Sequence, residues 1–179
     1  MVTSTPTQQT ATWPDEIFTI LKRAGIRQVV YVPDAGHTRL IELCQTDNTI
    51  KAISLTTEEE GVAVLAGAWL GGERGVLLMQ SSGVGNCINM LAMVQECRFP
   101  LLAVVTMRGE WGEFNPWQVP MGQSTKRLLE HAGVIVQHVD EAARLAETVN
   151  AAAHLAFDAY RAVAVLISQR IIGFKDWTK

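Results

Sequence analysis

Short apolar segments alternate with helix-like segments along almost the whole chain, and this alternation limits the possible folds more than any other feature. Several strand-length segments, such as 75–79, are apolar on both faces, as strands buried inside a parallel sheet are. Strands separated by helices form parallel sheets with right-handed crossovers. We therefore predict an α/β fold: a single three-layer domain with a six-stranded, mostly parallel sheet and helices on both faces.

The same patterns predict where each element lies. The predicted strands are 27–32, 50–55, 75–79, 101–106, 134–138 and 162–167. The predicted helices are 13–24, 38–44, 57–70, 84–97, 123–131 and 141–160. A long irregular segment is expected from Met107 to about Gly122. We predict three regions: a flexible N-terminal arm (1–12), a ligand-binding domain (13–170) and a C-terminal tail (171–179).

Composition excludes several classes of function. The net charge is −3 and no basic stripe is visible, which argues against nucleic-acid binding. The longest apolar runs are too short to span a membrane, and residues 1–12 lack the pattern of a signal peptide. Cys44, Cys87 and Cys97 have no metal-binding spacing, and each lies in an apolar helical pattern. Buried free thiols in a reducing, cytoplasmic environment are therefore expected.

Unusual residues cluster where the predicted strands end. They occupy 33–37, 56–60, 80–86 and 108–123, and each of these segments follows a predicted strand. Ligands on parallel α/β sheets bind at the carboxyl ends of the strands. The sequence therefore predicts a ligand site along this edge of the sheet.

Three consecutive acids, Glu58, Glu59 and Glu60, open the third predicted helix. Carboxylates in a first turn complement the helix dipole, and Thr56 with Glu59, or Thr57 with Glu60, would form a capping box. Alternatively, one acid faces a ligand. Glu59 is the candidate, because the residues that follow it on its own helical face are apolar and small.

The segment Ser81–Asn86 joins a predicted strand to a predicted helix through Gly83 and Gly85. It is either a compact turn or a loop that allows close approach of a ligand. A dinucleotide fingerprint is disfavoured, because Ile88 stands at the third glycine position and no strand-end acid follows at the usual distance. Residues 33–37 are likewise either a turn or a site that uses His37.

The irregular segment 107–122 is rich in aromatic and charged residues. Trp111, Phe114 and Trp117 need burial somewhere, and a substrate lid explains them as well as an interface with a partner subunit does.

Four of these segments resemble motifs of thiamine diphosphate-dependent decarboxylases, above all the sulfopyruvate (alpha-subunit) and phosphonopyruvate decarboxylases. The resemblance runs from about Trp13 to Ser168. The family's motif E-x-A-A-x-x-x-A-x-G-Y places its glutamate at Glu59 when counted back from Ala68-Trp69. Met79–Asn86 is similar to M-Q-N-S-G-L-G-N, and Val32-Pro33-Asp34 to the V-P-D substrate loop, with Ala35 where serine is common. Arg108-Gly109-Glu110 with Pro116 and Gln118 is similar to R-G-E…P-x-Q.

The resemblance implies a pyrimidine-binding domain over residues 13–170 and a catalytic role for Glu59. In this family the glutamate hydrogen-bonds N1′ of the aminopyrimidine, which promotes loss of the proton from the reactive carbon of the cofactor. The cofactor-binding residues implied are Glu59, Pro33, Ser81, Ser82, Gly83, Gly85 and Asn86. The substrate-binding residues implied are Asp34, Ala35, His37, Gln80, Arg108 and Gln118. No metal ligand is implied on this chain.

The resemblance also implies a partner. No G-D-G motif, which marks the diphosphate- and magnesium-binding domain of this family, occurs in the sequence. A beta subunit is expected to carry that domain and most of the Mg²⁺ contacts, and self-association of this chain is expected as well. The expected reaction is decarboxylation of a small 2-oxo acid with a 3-substituent, sulfopyruvate being the first candidate. Another thiamine-dependent decarboxylase or ligase half-site, resembling phosphonopyruvate decarboxylase or acetolactate synthase, and a non-catalytic regulatory subunit are the alternatives.

Overall fold

A six-stranded, fully parallel sheet forms the centre of the molecule, with strand order β2-β1-β3-β4-β6-β5. The computed structural model describes residues 12–174. The strands are β1 (Ile26–Tyr31), β2 (Lys51–Ser54), β3 (Arg74–Gln80), β4 (Leu101–Thr106), β5 (Ile135–Val139) and β6 (Ala162–Ile167). The helices are α1 (Trp13–Arg23), α2 (Thr38–Thr46), α3 (Glu58–Leu70), α4 (Ser81–Cys87), α5 (Leu91–Cys97), α6 (Val119–His131), α7 (Leu145–Phe157) and α8 (Gln169–Ile172). The predicted α/β architecture is confirmed, and the sheet is parallel throughout.

Helices cover both faces of the sheet, and strand side chains alternate between two hydrophobic cores. One core packs α1, α2 and α7 against one face of the sheet, and the other packs α3 to α6 against the opposite face. In β3, for example, Leu78 lies in the first core while Leu77 and Met79 lie in the second. Both faces of the central strands are therefore buried, which explains their continuous apolar sequences.

The order of the strands creates a switch point between β1 and β3. From β1 the chain crosses to β2 on one side, whereas β3 is followed by β4 on the other side. Loops that leave the carboxyl ends of β1 and β3 therefore diverge, and a crevice opens between them. Asp34 follows β1 and Gln80 ends β3, so two of the predicted site residues lie at this crevice.

Three predicted helices have different bounds in the structure. The segment 84–97 is two helices, α4 and α5, because residues 88–90 adopt a tighter turn with hydrogen bonds such as Met93 N to Met90 O. Helix α6 begins at Val119 rather than Gln123, with Pro120 in its first turn, where a proline costs no hydrogen bond. Helix α7 spans only Leu145–Phe157 and is preceded by a single 3₁₀ turn.

The predicted termini are only partly within the described residues. The N-terminal arm lies outside them except for Thr12, which precedes α1. In the predicted tail, α8 ends at Ile172, and residues 175–179 lie outside the described part. Cys44 and Cys87 are buried free thiols as expected, but Cys97 is exposed. None of the helices within residues 12–174 is long and apolar enough to cross a membrane.

Candidate functional site

The carboxylate of Asp34 joins the ends of β1, β3 and β4. The side-chain amide of Gln80 donates a hydrogen bond to Asp34 Oδ1 at 2.9 Å, and the hydroxyl of Thr106 donates to Asp34 Oδ2 at 2.5 Å. Ser82 in turn donates to the Gln80 Oε1 atom at 2.9 Å. The structure therefore brings together Asp34, Gln80 and Ser82, three of the predicted residues, at the switch point. Thr106 was not among the predicted residues.

Glu58 connects the start of α3 to α4. It is 8% exposed, and Asn86 donates its side-chain N–H to Glu58 Oε2 at 2.7 Å. A Cβ atom on Gly83 would lie 2.3 Å from Glu58 Oε1, so only glycine leaves room for this carboxylate. Gly83 and Asn86 therefore hold Glu58 in its buried position. This structural role is separate from the cofactor-binding role that the resemblance implies.

Glu59, the predicted catalytic acid, points away from the core and is exposed on the chain, as is Ala63 one turn later. Its carboxylate still lies near α4. Burial, together with the negative charges of Glu58 and Glu59, raises the pKa of the Cys87 thiol to about 12. The prediction for Glu59 thus stays a prediction. If a second subunit completes the site, Glu59 must be exposed on the single chain, as it is here.

Neither of the two expected capping boxes forms at the start of α3. The Glu60 carboxylate accepts a hydrogen bond from the backbone N–H of Thr56 at 2.9 Å, but the Thr57 side chain makes no capping bond. Glu60 therefore satisfies the backbone before the helix. The three adjacent acids have three different surroundings: one is buried, one is open and one serves as a cap.

Ser81 holds the start of α4 to the loop after β4. It is buried, its hydroxyl donates to the carbonyl oxygen of Arg108 at 3.2 Å, and the same hydroxyl oxygen accepts from the Arg108 N–H at 3.0 Å. The hydroxyl of Ser81 thus faces Arg108 inside the chain. Gly85, by contrast, is exposed, and its nearest neighbour is the side chain of Met121.

Arg108 is paired within the chain. Its Nε atom donates to Glu113 Oε2 at 2.5 Å and its Nη2 atom to Glu113 Oε1 at 2.6 Å, and the Glu113 side chain is 2% exposed. The guanidinium lowers the pKa of Glu113 to about 2, and Glu113 raises the pKa of Arg108. Of the guanidinium nitrogens, Nη1 makes no hydrogen bond to any residue within 12–174.

Glu113 and Glu110 are both tied to Gln169, which the sequence analysis did not identify. Gln169 is 1% exposed, donates through Nε2 to Glu113 Oε2 at 2.9 Å and donates its backbone N–H to Glu110 Oε1 at 2.7 Å. It follows β6, at the same edge of the sheet as the other candidates. That position was the available signal, since the end of β6 obeys the same strand-end rule.

His37 is fully buried rather than facing the crevice. Its Nε2 atom lies 3.1 Å from the carbonyl oxygen of Val104, while Nδ1 has no hydrogen-bond partner among residues 12–174. Burial lowers the pKa of His37, which favours the neutral ring. Direct contact between His37 and a substrate would require the segment 35–38 to move.

Gln118 closes the irregular segment. Its backbone carbonyl oxygen would lie 2.1 Å from a Cβ on Gly109, which has a φ of +80°, so this close approach requires glycine. The Gln118 Oε1 atom is buried and has no hydrogen-bond partner in the part of the chain that the structure describes. The loop 107–118 is therefore ordered by its own contacts, and one acceptor in it is left unsatisfied.

A cavity of about 180 Å³ lies between these elements. It is lined by Asp34, Ala35, Gly36, Thr106, Arg108, Ile172, Gly173 and Phe174. Three of the predicted substrate-binding residues thus line one cavity, whose remaining wall comes from the C-terminal segment. Across residues 12–174, no group of three or more His, Cys, Asp or Glu side chains could hold a metal ion.

The fold and this strand-edge cluster define an α/β protein with a candidate ligand site at a topological switch point. The chain belongs to the thiamine pyrophosphate (thiamine diphosphate) enzyme family, because residues 12–118 match the family described as "Thiamine pyrophosphate enzyme, N-terminal TPP binding domain".

Several relatives are similar over much of their length. The chain is 33% identical to "Sulfopyruvate decarboxylase subunit alpha" of Methanothermobacter thermautotrophicus, over 86% of this chain and 93% of that protein. It is 38% identical to the protein of the same name in Methanococcus maripaludis, over 65% of this chain and 70% of that protein. It is also 38% identical to "Phosphonopyruvate decarboxylase" of Streptomyces viridochromogenes, but over only 27% of that protein.

A solved structure shows the same fold at low sequence identity. The 2-oxoglutarate:ferredoxin oxidoreductase of Magnetococcus marinus superposes with a TM-score of 0.69 and 13% identity, over 96% of this chain and 33% of that chain. At this identity the match supports the fold alone. Fold class and family, as expected from the sequence, are therefore confirmed.

Proposed function

We propose that this chain is the pyrimidine-binding subunit of a two-subunit, thiamine diphosphate-dependent decarboxylase whose substrate is a 3-substituted pyruvate. The observation that carries the proposal is the similarity to a relative named sulfopyruvate decarboxylase subunit alpha over 93% of that relative's length. The proposed reaction converts 3-sulfopyruvate to sulfoacetaldehyde and carbon dioxide. The free thiols Cys44 and Cys87 support a cytoplasmic location for it.

The start of α3 and the exposed carboxyl end of α4 together suit an aminopyrimidine ring. Glu59 offers an open carboxylate, and Gly85 and Asn86 leave the adjoining end of α4 exposed and without bulky side chains. Glu58 underneath holds Asn86 in place through its 2.7 Å hydrogen bond. A planar ring with ring nitrogens could lie on this surface and meet one acid, which is the arrangement that the family's chemistry needs.

The chemistry supplied by bound thiamine diphosphate is that of a carbon nucleophile that afterwards accepts the electron pair released with carbon dioxide. The task of this chain is to hold a proton at the pyrimidine. Glu59 would share a proton with N1′ of the ring, and Ser82, Gly83 and Pro33 would shape the surface beside it. Water would be excluded only when a partner covers the exposed face, because Glu59 is open to solvent in the single chain.

The substrate would lie at the switch-point cavity, next to Asp34, Ala35 and Gln80. Asp34 keeps Gln80 and Thr106 in position through the hydrogen bonds described above. Gln118 would contribute from the closing end of the loop. His37 would act from beneath Asp34, because its ring is buried.

Arg108 remains the candidate cation for binding the substrate, but nearby carboxylates already neutralise its charge. Glu113 occupies two of its nitrogens, and Asp34 lines the same cavity. Arg108, Glu113 and Asp34 together carry a formal charge of about −1, since two carboxylates face one guanidinium. Arg108 would therefore offer the Nη1 end alone to a sulfonate, and further donors would come from the beta subunit.

The proposed partner is a beta subunit that carries the diphosphate- and Mg²⁺-binding domain, with self-association of the alpha chain in addition. Relatives named "subunit alpha" support a second subunit, and the exposed Glu59 supports a site that forms between chains. Trp117 is 87% exposed, which supports contact of the loop 107–118 with a partner.

The test is reconstitution of this chain with its candidate beta subunit, thiamine diphosphate and Mg²⁺, with decarboxylation followed for sulfopyruvate and phosphonopyruvate. We expect turnover of sulfopyruvate only when both subunits are present. Glu59→Gln should lower kcat by about 100-fold or more, the scale of a positioned acid–base group. Glu60→Gln, whose wild-type carboxylate caps the helix, is the matched control and should keep kcat within about threefold of wild type.

Each outcome bears on a different part of the proposal. Full turnover by the isolated chain would contradict the half-site. Preference for phosphonopyruvate would change the proposed substrate, but the proposed cofactor and the role of Glu59 would stand. Equal activity of the wild-type and Glu59→Gln proteins would contradict the assignment of the acid and favour a non-catalytic subunit.

A further inference from the structure

A second cleft lies at the opposite end of the sheet from the candidate active site. It has a volume of about 380 Å³ and is lined by Val94, Gln95, Arg98, Phe99, Gly133, Ala159, Tyr160, Arg161 and Ala162. The lining residues come from the carboxyl ends of α5, α6 and α7 and from the residues that lead into β4 and β6. The six-residue strand β4 separates this cleft from Arg108 by roughly 20 Å.

The cleft carries positive charge that the chain does not neutralise. Arg98 and Arg161 are both exposed, and neither guanidinium forms an ion pair or a hydrogen bond with any residue in the described range 12–174. None of the nine lining residues is acidic. Asp158, the acid nearest in sequence to Arg161, is paired with Arg74 and His154 instead.

The ends of three helices reduce this positive charge but do not cancel it. The carboxyl ends of α5, α6 and α7 meet at the cleft, and a helix carboxyl end carries about half of a negative charge. Three helix ends therefore offset about one and a half of the two guanidinium charges. The remaining charge, of about half a unit, favours an anion.

Backbone strain is concentrated in the same cleft. Within residues 12–174, Arg98 with a φ of 55° and Tyr160 with a φ of 56° are the two non-glycine residues with positive φ. A left-handed conformation costs a residue with a side chain about 1–2 kcal/mol, and glycine is the usual choice at such a helix end. Both strained positions thus carry large side chains that line one cleft, where glycine would relieve the strain.

An aromatic wall completes the cleft. The Tyr160 ring is 60% exposed and is held by an edge-to-face contact with Trp69, at 5.5 Å between ring centroids and 83° between planes. Phe99 is buried beside it. A positioned, exposed aromatic ring offers a surface on which a planar ligand can stack.

We propose that this cleft binds a small organic phosphate that contains a planar ring, that is, a nucleotide-like ligand, through Arg98, Arg161 and Tyr160. Arginine matches phosphate with two parallel N–H donors, and the ring of the ligand stacks on Tyr160. A cleft of about 380 Å³ lies within the range of small-molecule sites and exceeds what a free phosphate ion fills. The binding is independent of the decarboxylase reaction and uses none of its residues.

The test measures binding of AMP, adenosine and inorganic phosphate to the full chain by calorimetry at low ionic strength. We expect AMP to bind more tightly than either fragment. Arg98→Asn removes the charge while asparagine tolerates the left-handed conformation, and Arg161→Gln removes the other charge. Each variant should weaken AMP binding by about tenfold, which corresponds to about 1.4 kcal/mol. Arg144→Gln, at an exposed arginine before α7, is the matched control and should bind AMP like wild type.

The melting temperature separates loss of binding from loss of folding. Arg98→Asn should melt at or above the wild-type temperature, because it relieves strain. AMP that binds no more tightly than inorganic phosphate would overturn the role of Tyr160. Unchanged AMP binding by both variants, or no AMP binding by the wild-type chain, would overturn the site.

Discussion

Two regions lie at the same edge of the sheet: the start of α3 with α4, and the loop 107–118. They differ in whether their acidic side chains are bonded within the chain. In the loop, the Glu113 carboxylate accepts hydrogen bonds from Arg108, from Gln169 and from backbone N–H groups of the loop itself. At the start of α3, Glu58 has one side-chain partner, Asn86, and Glu59 is exposed.

This difference shows which charges are available to a ligand. An acid whose lone pairs are occupied by its own chain stabilises the loop and fixes its shape, but offers little to a substrate. The open Glu59, in contrast, contributes little to the fold and can interact with a group that arrives from outside. A charged residue in a family motif is therefore not by itself evidence of a free ligand group, as Arg108 shows.

The largest effect on stability is expected from breaking the Arg108–Glu113 pair. Glu113→Ala would leave Arg108 unpaired and would remove acceptors from Gln169 and two backbone N–H groups. The expected loss is about 3 kcal/mol in the free energy of unfolding, at the lower end for a buried pair, because Arg108 keeps some exposure. Urea denaturation followed by circular dichroism measures it.

The control for that variant is Glu130→Ala. Glu130 forms an exposed pair with Lys126 at 3.9 Å, and such pairs contribute about 0.5 kcal/mol or less. If both variants lose the same free energy of unfolding, the Arg108–Glu113 pair does not stabilise the loop 107–118. The contrast between this loop and the start of α3 would then be wrong.

A smaller effect should separate two glycines of α4. An alanine Cβ at Gly83 would lie 2.3 Å from Glu58 Oε1 and 2.4 Å from Glu58 Cδ, so the whole carboxylate must move and give up Asn86. We expect Gly83→Ala to cost about 2 kcal/mol, as overpacking does. At Gly85 the nearest atom is the Met121 sulfur at 3.2 Å, which a flexible side chain can move.

The second glycine therefore serves as the control. Gly85→Ala should be neutral or slightly stabilising, because alanine favours helix over glycine by up to about 1 kcal/mol. Thermal melting of both variants is sufficient. A neutral Gly83→Ala protein would show that Glu58 is not held in its buried position.

The sequence predicted the fold better than it predicted the surroundings of each side chain. Apolar strands and the helix pattern determine the parallel sheet, and the strand-end rule identified Asp34, Gln80 and the start of α3. The direction of Glu58 relative to Glu59 depends on how α3 is rotated against α4, which is a tertiary contact. Gln169 was missed because its partners lie 56 to 59 residues away in the chain.

The same limit explains His37. Its position after Pro33 and Gly36 left a turn and a ligand site as alternatives, but α2 begins at the next residue and the ring lies buried against β4. The break between α4 and α5 has a similar origin, since the apolar pattern continues through residues 88–90 although the backbone tightens there. The spacing of apolar residues shows which face of a helix is buried. It does not show whether the backbone hydrogen bonds of that helix are continuous.

The remaining prediction is the part of the pH dependence of stability that Glu113 contributes. Its pKa falls from 4.5 to about 2, because Arg108 donates two hydrogen bonds to the ionised form. A carboxyl with a depressed pKa stabilises the folded protein above the pKa it has when unfolded, and this stability is lost as the pH falls toward the folded-state value. The contribution is therefore complete above about pH 4.5 and disappears toward pH 2.

Glu113→Gln isolates this contribution, because glutamine keeps the shape but does not titrate. The melting temperature of the wild-type protein should exceed that of the variant at pH 6, and the difference should shrink between pH 4.5 and the lowest pH at which both still fold. Groups remote from Gln169, such as the Lys22–Asp47 pair, titrate equally in both proteins and cancel in the difference. A difference that stays constant over this range would mean that the carboxylate of Glu113 gains nothing from Arg108. The loop would then be as open to a ligand as the start of α3 is.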